Sequence, residues 1–177
     1  MAVDETLVLV AAVLSGTAAR WQTLAATIPR ELLERCPLPD QWSTLDCLRH
    51  LIDTERLVFP ERVRALLDGR DFAAFDPDAE SARWVPCAPG ALATDFATLR
   101  AGSLGLVATI KGADLARTAT HEELGPVSLG NLLHEWGAHD LNHLVQAERA
   151  MMQPFVVGCG PWRPYFAAHD VAVAGGG

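Results

Sequence analysis

His139 and His143 lie four residues apart in a stretch without proline, and on a helix that spacing sends both imidazoles out of one face, about one turn apart. The same face carries Leu129, Leu132, Leu133, Trp136, Leu144, Ala147, Ala150 and Met151, so the pair points toward a protein interior. Two imidazoles at this spacing can grip one metal ion. The bland account, in which each ring hydrogen-bonds a neighbour or a water, suits a lone core histidine better than a buried pair, because burying two imidazoles without partners costs free energy that an ion offsets. His134 lies about 140° from His139 and about 180° from His143 on the helical wheel and points elsewhere. The run His134-Glu135-Trp136-Gly137-Ala138-His139 is one residue too long for the zinc-protease helix, whose two histidines are four apart.

Two ligands seldom suffice, and His50 is the best third. It lies at the edge of an apolar arc formed by Leu45, Leu48, Leu51 and Ile52 on another helical segment. Three imidazoles without a carboxylate leave coordination positions open to water or substrate, as in catalytic rather than structural sites. Imidazole-only ligation suits Zn, Ni, Fe or Cu and fits Mg or Ca poorly. Gln146, three residues beyond His143, ranks first as an acceptor for an imidazole N–H, followed by Asp46, Asp53 and Asp140. His121, beside Glu122 and Glu123, and His169 read as solvated surface residues.

Around these sit residues with simpler roles. Trp136 reads as core, Trp42 as a hydrophobic staple onto Cys47, and Cys47 as a small buried hydrophobe. Trp162 and Tyr165 are expected to pack a C-terminal tail onto the fold. Arg49 and Arg163 are candidates for a carboxylate of a ligand, although exposed arginines are commoner than binding ones. Cys36, Cys47, Cys87 and Cys159 form no C-x-x-C pair, so free thiols are expected.

Four helical segments must position the histidines. The first runs from about Val3 to Ile28 and stops before Pro29. The second starts at Ser43, whose capping box is completed by Asp46, and reaches about Leu67 with a kink or break at Pro60. A loop with Pro77, Pro86 and Pro89 leads to a third, Ala91 to Ile110, weakened by Gly102 and Gly105. The fourth is capped by Ser128 and should end near Met152, before Pro154. Nothing alternates like a buried strand over a useful length. The expectation is an all-α four-helix bundle with at least one crossover, one domain over residues 1–177 with 153–177 as its tail.

Of the 177 residues, half are hydrophobic and a fifth charged, the profile of one globular domain. The net charge of −8 and the absence of a basic cluster exclude phosphate-driven nucleic-acid binding. The apolar run Leu7 to Leu14 is short of the roughly 20 residues a bilayer span needs, and Asp4 and Glu5 replace the basic start of a signal peptide. No membrane partner and a cytoplasmic location are therefore expected.

Trp42-Ser43 followed by Leu48-Arg49-His50-Leu51-Ile52-Asp53-Thr54-Glu55, and Gly125-Pro126-Val127-Ser128-Leu129 leading into Trp136 to Gln146, resemble the DinB-like metal-binding proteins, relatives of bacillithiol transferases and mycothiol-dependent enzymes. The late Gly160-Pro161-Trp162-Arg163-Pro164-Tyr165 segment adds to the likeness, which spans nearly the whole chain. The resemblance implies a bundle of up-down-down-up type with a long crossover, and a divalent metal (Zn, Ni or Fe) held by His50, His139 and His143. It further implies a low-molecular-weight thiol as co-substrate, and a homodimer. A metal-dependent thiol S-transferase acting on a small electrophile is thus the first functional expectation. A metal-dependent hydrolase, and a non-catalytic metal-stabilised binding or stress-response module, are the alternatives. No general acid stands beside the histidines in the sequence.

Overall fold

The computed structural model describes residues 4–75 and 84–174. Pro77 of the crossover, the start of the first helix at Val3 and the terminal glycines lie outside them. Helix α1 spans Glu5–Thr27 and is capped by Asp4, whose carboxylate accepts the Thr6 N–H. It stops where Pro29 begins a single turn, α2 (Arg30–Leu33). The expected break in the second segment falls at Val58, dividing it into α3 (Thr44–Leu57) and α4 (Phe59–Asp68). Pro60 sits in the first turn of α4, where its missing N–H removes no helical bond. The capping box of Ser43 and Asp46 is formed at the start of α3. The third long segment is α5 (Pro89–Val107), and the fourth is α6 (Leu129–Gly158), opened by a box of Ser128 and Asn131.

One expectation is overturned, and one feature is added to the all-α bundle. Helix α6 does not stop at Met152 but runs through Pro154 to Gly158. The proline deletes one backbone bond and strains the turn before it. Tertiary ties beyond it keep the helix going: Val156 and Gln153 are buried, the Gln153 amide donates to the Arg149 and His169 carbonyls, and its oxygen accepts the Val171 N–H. That pins the closing segment, a 3-10 stretch over Gly160–Phe166 and the turn α7 (Val171–Ala174), to the bundle. Strands are also present. After a 3-10 turn at Gly112–Ala116, β1 (Thr118–His121) and β2 (Gly125–Ser128) form an antiparallel hairpin with His121 opposite Gly125. Gly125 takes a left-handed φ of 74°, which its lack of a Cβ permits. Phe72 pairs with β1 by backbone bonds, its N–H to Thr120 and its carbonyl from Glu122, so the crossover from α4 begins against the hairpin.

Core packing fixes the topology. One apolar cluster holds Trp21 of α1, Leu45 to Ile52 of α3, Leu92 and Phe96 of α5 and Leu144 and Ala147 of α6. A second holds Val10 and Leu14 of α1, Phe59 and Val63 of α4, Val107 of α5 and Leu129 to Trp136 of α6. Both α1 and α6 run from the second cluster to the first, whereas α3–α4 and α5 run the other way. The order is up-down-down-up, with α1 packed on α5 and α6, and α3 packed on the same two helices. By length and composition α1 also qualifies as a membrane span, which a count of uninterrupted apolar residues does not capture; here it forms a wall of the bundle, with Val10, Leu14, Thr17 and Trp21 inward.

Between the clusters lies a buried charge network that the sequence reading missed. Arg100, 1% exposed, forms paired bonds to Glu55 (2.8 and 2.9 Å) and to Asp140 (2.5 and 3.0 Å), and donates to the Thr17 hydroxyl and the Leu14 carbonyl. All four long helices contribute. Burial works against the guanidinium charge, and the two carboxylates more than compensate, holding its pKa above the usual value.

Candidate metal centre

The three histidines singled out by spacing meet at the interface of α3 and α6, level with the Arg100 network. One ring-nitrogen ligand atom from each of His50, His139 and His143 lies within 4.8 Å of the others. Ring centroids are 5.1 Å apart for His50 and His139, 4.7 Å for His50 and His143, and 4.5 Å for the α6 pair. The Nε2 atoms of His50 and His139 are 3.0 Å apart. Two nitrogens bound to one ion at about 2.1 Å stand about 3.0–3.4 Å apart, so the separation is that of neighbouring ligands.

Their surroundings favour neutral imidazoles. Burial, reinforced by the neighbouring His143, lowers the pKa of His50 to about 4. Burial with His143, His50 and Arg100 nearby lowers that of His139 to about 3. His143, 7% exposed, is also lowered by burial, against the pull of Gln146 and Asp140. Neutral imidazole is the form that binds a cation. The Gln146 Oε1 is 3.0 Å from His143 Nδ1 and accepts its N–H, which leaves the Nε2 lone pair for a ligand bond. A hydrogen bond between His50 and His139 would explain that one pair; it does not explain a third imidazole converging on them with its other nitrogen already held. His139 Nδ1 is buried with no hydrogen-bond partner among the described residues.

Aromatic rings enclose the cluster. Trp42 lies over His143 at 5.6 Å with an 18° interplanar angle and tilts against His50 at 4.9 Å, so beyond packing on the cluster that contains Cys47 it covers the site. Phe59 meets His139 edge-on at 5.2 Å and stacks on Trp136. Burial pushes the Cys47 thiol up to about 12, which keeps it protonated.

The other candidate residues are distributed differently. Asp140 is fully buried in the Arg100 network and reaches His143 only through its field. Asp46 serves as the cap acceptor for Ser43 and pairs with Arg49 at 2.8 Å. Asp53 accepts the Trp84 indole N–H at 2.7 Å. His134 and His169 are exposed, as expected, and Arg163 pairs with Asp170. Trp162 and Tyr165 are 63% and 84% exposed, so they do not pack the closing segment down. All four cysteines are free.

His121 is the main correction. It is 7% exposed rather than solvated, because β1 turns alternate residues inward, and its Nδ1 accepts the backbone N–H groups of Glu123 and Leu124. With Arg62, Phe72, Glu135 and Leu132 it walls a cavity of about 400 Å³ that reaches His50 and His139. Glu135 keeps an exposed edge, and the partial desolvation of its carboxyl against the cavity raises its pKa, against the pull of Arg62 and His121. A second cavity of about 580 Å³, lined by Arg30, Trp42, Arg49 and Trp84, also reaches His50. The four-residue step from Glu135 to His139 was a readable signal for Glu135; His121 had none without the hairpin.

Residues 14–147 match the family model of the DinB superfamily. Among solved structures, YfiT from Bacillus subtilis, described as a probable metal-dependent hydrolase with an unusual four-helix bundle topology, superposes with a TM-score of 0.72 at 15% identity, covering 84% of this chain and 88% of that one. No curated protein matches the chain. With three quarters of its length matched by the family model and its helices in the same bundle, this chain belongs to the DinB superfamily.

Proposed function

We propose that the protein is a divalent-metal enzyme that turns a small nucleophile on a small electrophilic substrate, with His50, His139 and His143 as the ligands. The carrying observation is the convergence of three imidazoles held neutral by burial, two of which, His50 and His139, line a 400 Å³ cavity. A Zn, Ni or Fe ion among three neutral ligands keeps its full charge and lowers the pKa of a coordinated water or thiol, supplying a nucleophile at neutral pH. The chain's own contribution is to hold that centre. Gln146 sets the tautomer of His143, Trp42 and Phe59 shield the rings from bulk water, and the Arg100 network keeps α3 and α6 in register.

Water is the first nucleophile to test, supported by the description of YfiT as a probable metal-dependent hydrolase. A thiol is the second, favoured by the second cavity at His50, whose lining cations Arg30 and Arg49 would meet an acidic group of a thiol co-substrate in exchange for their present partners Glu34 and Asp46. The test is a panel of small esters, amides and alkylating electrophiles, run with zinc-, nickel- and iron-loaded protein and with chelated protein, each with and without a low-molecular-weight thiol. Metal-dependent turnover lost in His139→Ala is expected; turnover without thiol assigns hydrolysis, and strict thiol dependence assigns S-transfer. A metal that raises the melting temperature while every substrate stays intact would reject the enzyme reading in favour of a metal-stabilised binding module.

A further inference from the structure

The 400 Å³ cavity that reaches His50 and His139 is lined on the hairpin by a third imidazole, that of His121. His121 accepts two backbone N–H groups at Nδ1, from Glu123 at 3.1 Å and from Leu124 at 3.3 Å. An imidazole that accepts at Nδ1 is the neutral tautomer with its proton on Nε2, on the side of the ring away from that loop. The ring is buried, lines the cavity and is held edge-on against Phe72 at 5.6 Å, so this N–H is fixed in direction. Both hydrogen bonds of the ring within the described residues are at Nδ1, and none uses this N–H.

The remaining lining defines what the donor would meet. Phe59, Phe72, Phe75, Val127 and Leu132 make the cavity mainly apolar. Its cation, Arg62, already donates to the Ala73 carbonyl, lies over the Phe72 ring and faces Glu135 and Glu123. It therefore offers no unanswered charge to a carboxylate, and a divalent ion at the histidine end would repel an amine. A neutral ligand with an apolar body and an accepting oxygen matches the apolar lining and the His121 donor.

We propose that the cavity binds small neutral carbonyl compounds, of the amide or ester class, and that His121 Nε2–H donates to the carbonyl oxygen. His121 would then be a substrate-contacting residue on the hairpin, facing the metal ligands on α3 and α6 across the bound molecule. This substrate class rests on the reading of the histidine cluster as the reacting end, but the contact itself does not require an ion.

The test is an NMR titration of the full chain with benzamide, toluene and benzoate, on chelated and on zinc-loaded protein. His121→Asn is the decisive variant, since Asn Oδ1 can still accept the Glu123 N–H in a local turn while the Nε2 donor is gone. His121→Phe, which keeps the ring and removes both nitrogens, decides if the hairpin amides of the Asn variant are disturbed. Benzamide should bind and shift the His121 ring nitrogens, weaken about five- to tenfold in the variant, and outbind benzoate, while toluene binds both proteins equally. Equal benzamide affinity in wild type and variants, tighter binding of benzoate, or no benzamide binding to wild type would overturn the proposal. Failure to load zinc with His121-dependent benzamide binding intact would count against the metal reading alone.

Discussion

At the scale of single residues, the proposed centre depends on imidazoles kept neutral by burial. Their folded pKa values lie below the ordinary value, so between about pH 6.5 and 4 the unfolded chain binds protons that the folded chain refuses. In chelated protein the stability from this source is complete above about pH 6.5 and is lost as the pH falls. The loss is roughly 1.4 kcal/mol per pH unit for each imidazole protonated only in the unfolded state. Urea melts of chelated protein from pH 7 to 5 should show this fall, and it should shrink in His139→Ala; a flat profile would contradict it. Gln146→Ala leaves the His143 N–H without its acceptor and should weaken metal binding about 10- to 100-fold, read by competition with a chromogenic chelator. Much of this was legible in the sequence. The spacing of His139 and His143, and the place of His50 on an apolar arc, needed only helical periodicity. Gln146 followed from the same wheel, whereas Asp46 and Asp140 found other partners because a helical wheel gives direction on one helix and says nothing of what faces it.

Helices and strands decide the rest. The caps at Ser43 and Ser128 and the break at Pro60 were readable because their chemistry is local. The run of α6 through Pro154 was not, because the ties from Gln153 to residues 169 and 171 outweigh a local helix-stop signal. The hairpin was missed because four-residue strands carry little periodicity, and with it went His121. Arg100 was visible as a charge on the apolar side of α5, in line with Phe96 and Val107, but its partners on α3 and α6 depend on how the helices register. Arg100→Met leaves Glu55 and Asp140 buried without a cation and should cost about 3–5 kcal/mol in urea denaturation. Breaking the exposed Arg56–Asp95 pair with Arg56→Ala should cost under about 1 kcal/mol. A similar cost for both would remove the network from its place as the bundle's central tie.

Over the whole molecule, the up-down-down-up order sets α3 beside α6, which are distant in sequence, and so brings one histidine from the first to two from the second. The histidine cluster is a consequence of topology, and an ion held there would clamp two helices that the chain joins by way of α4, the crossover, α5 and the hairpin. Ligand binding to the folded state alone stabilises it by mass action, about 2.7 kcal/mol at a hundredfold excess over Kd. The melting temperature should therefore rise with the concentration of the correct ion and stay constant in His139→Ala. The most direct test is elemental analysis of protein purified without a metal-affinity tag, wild type beside His143→Ala. About one transition-metal ion per chain is expected, lost in the variant while its helical circular dichroism persists. Wild-type protein that holds no metal, even after reconstitution, would contradict the account.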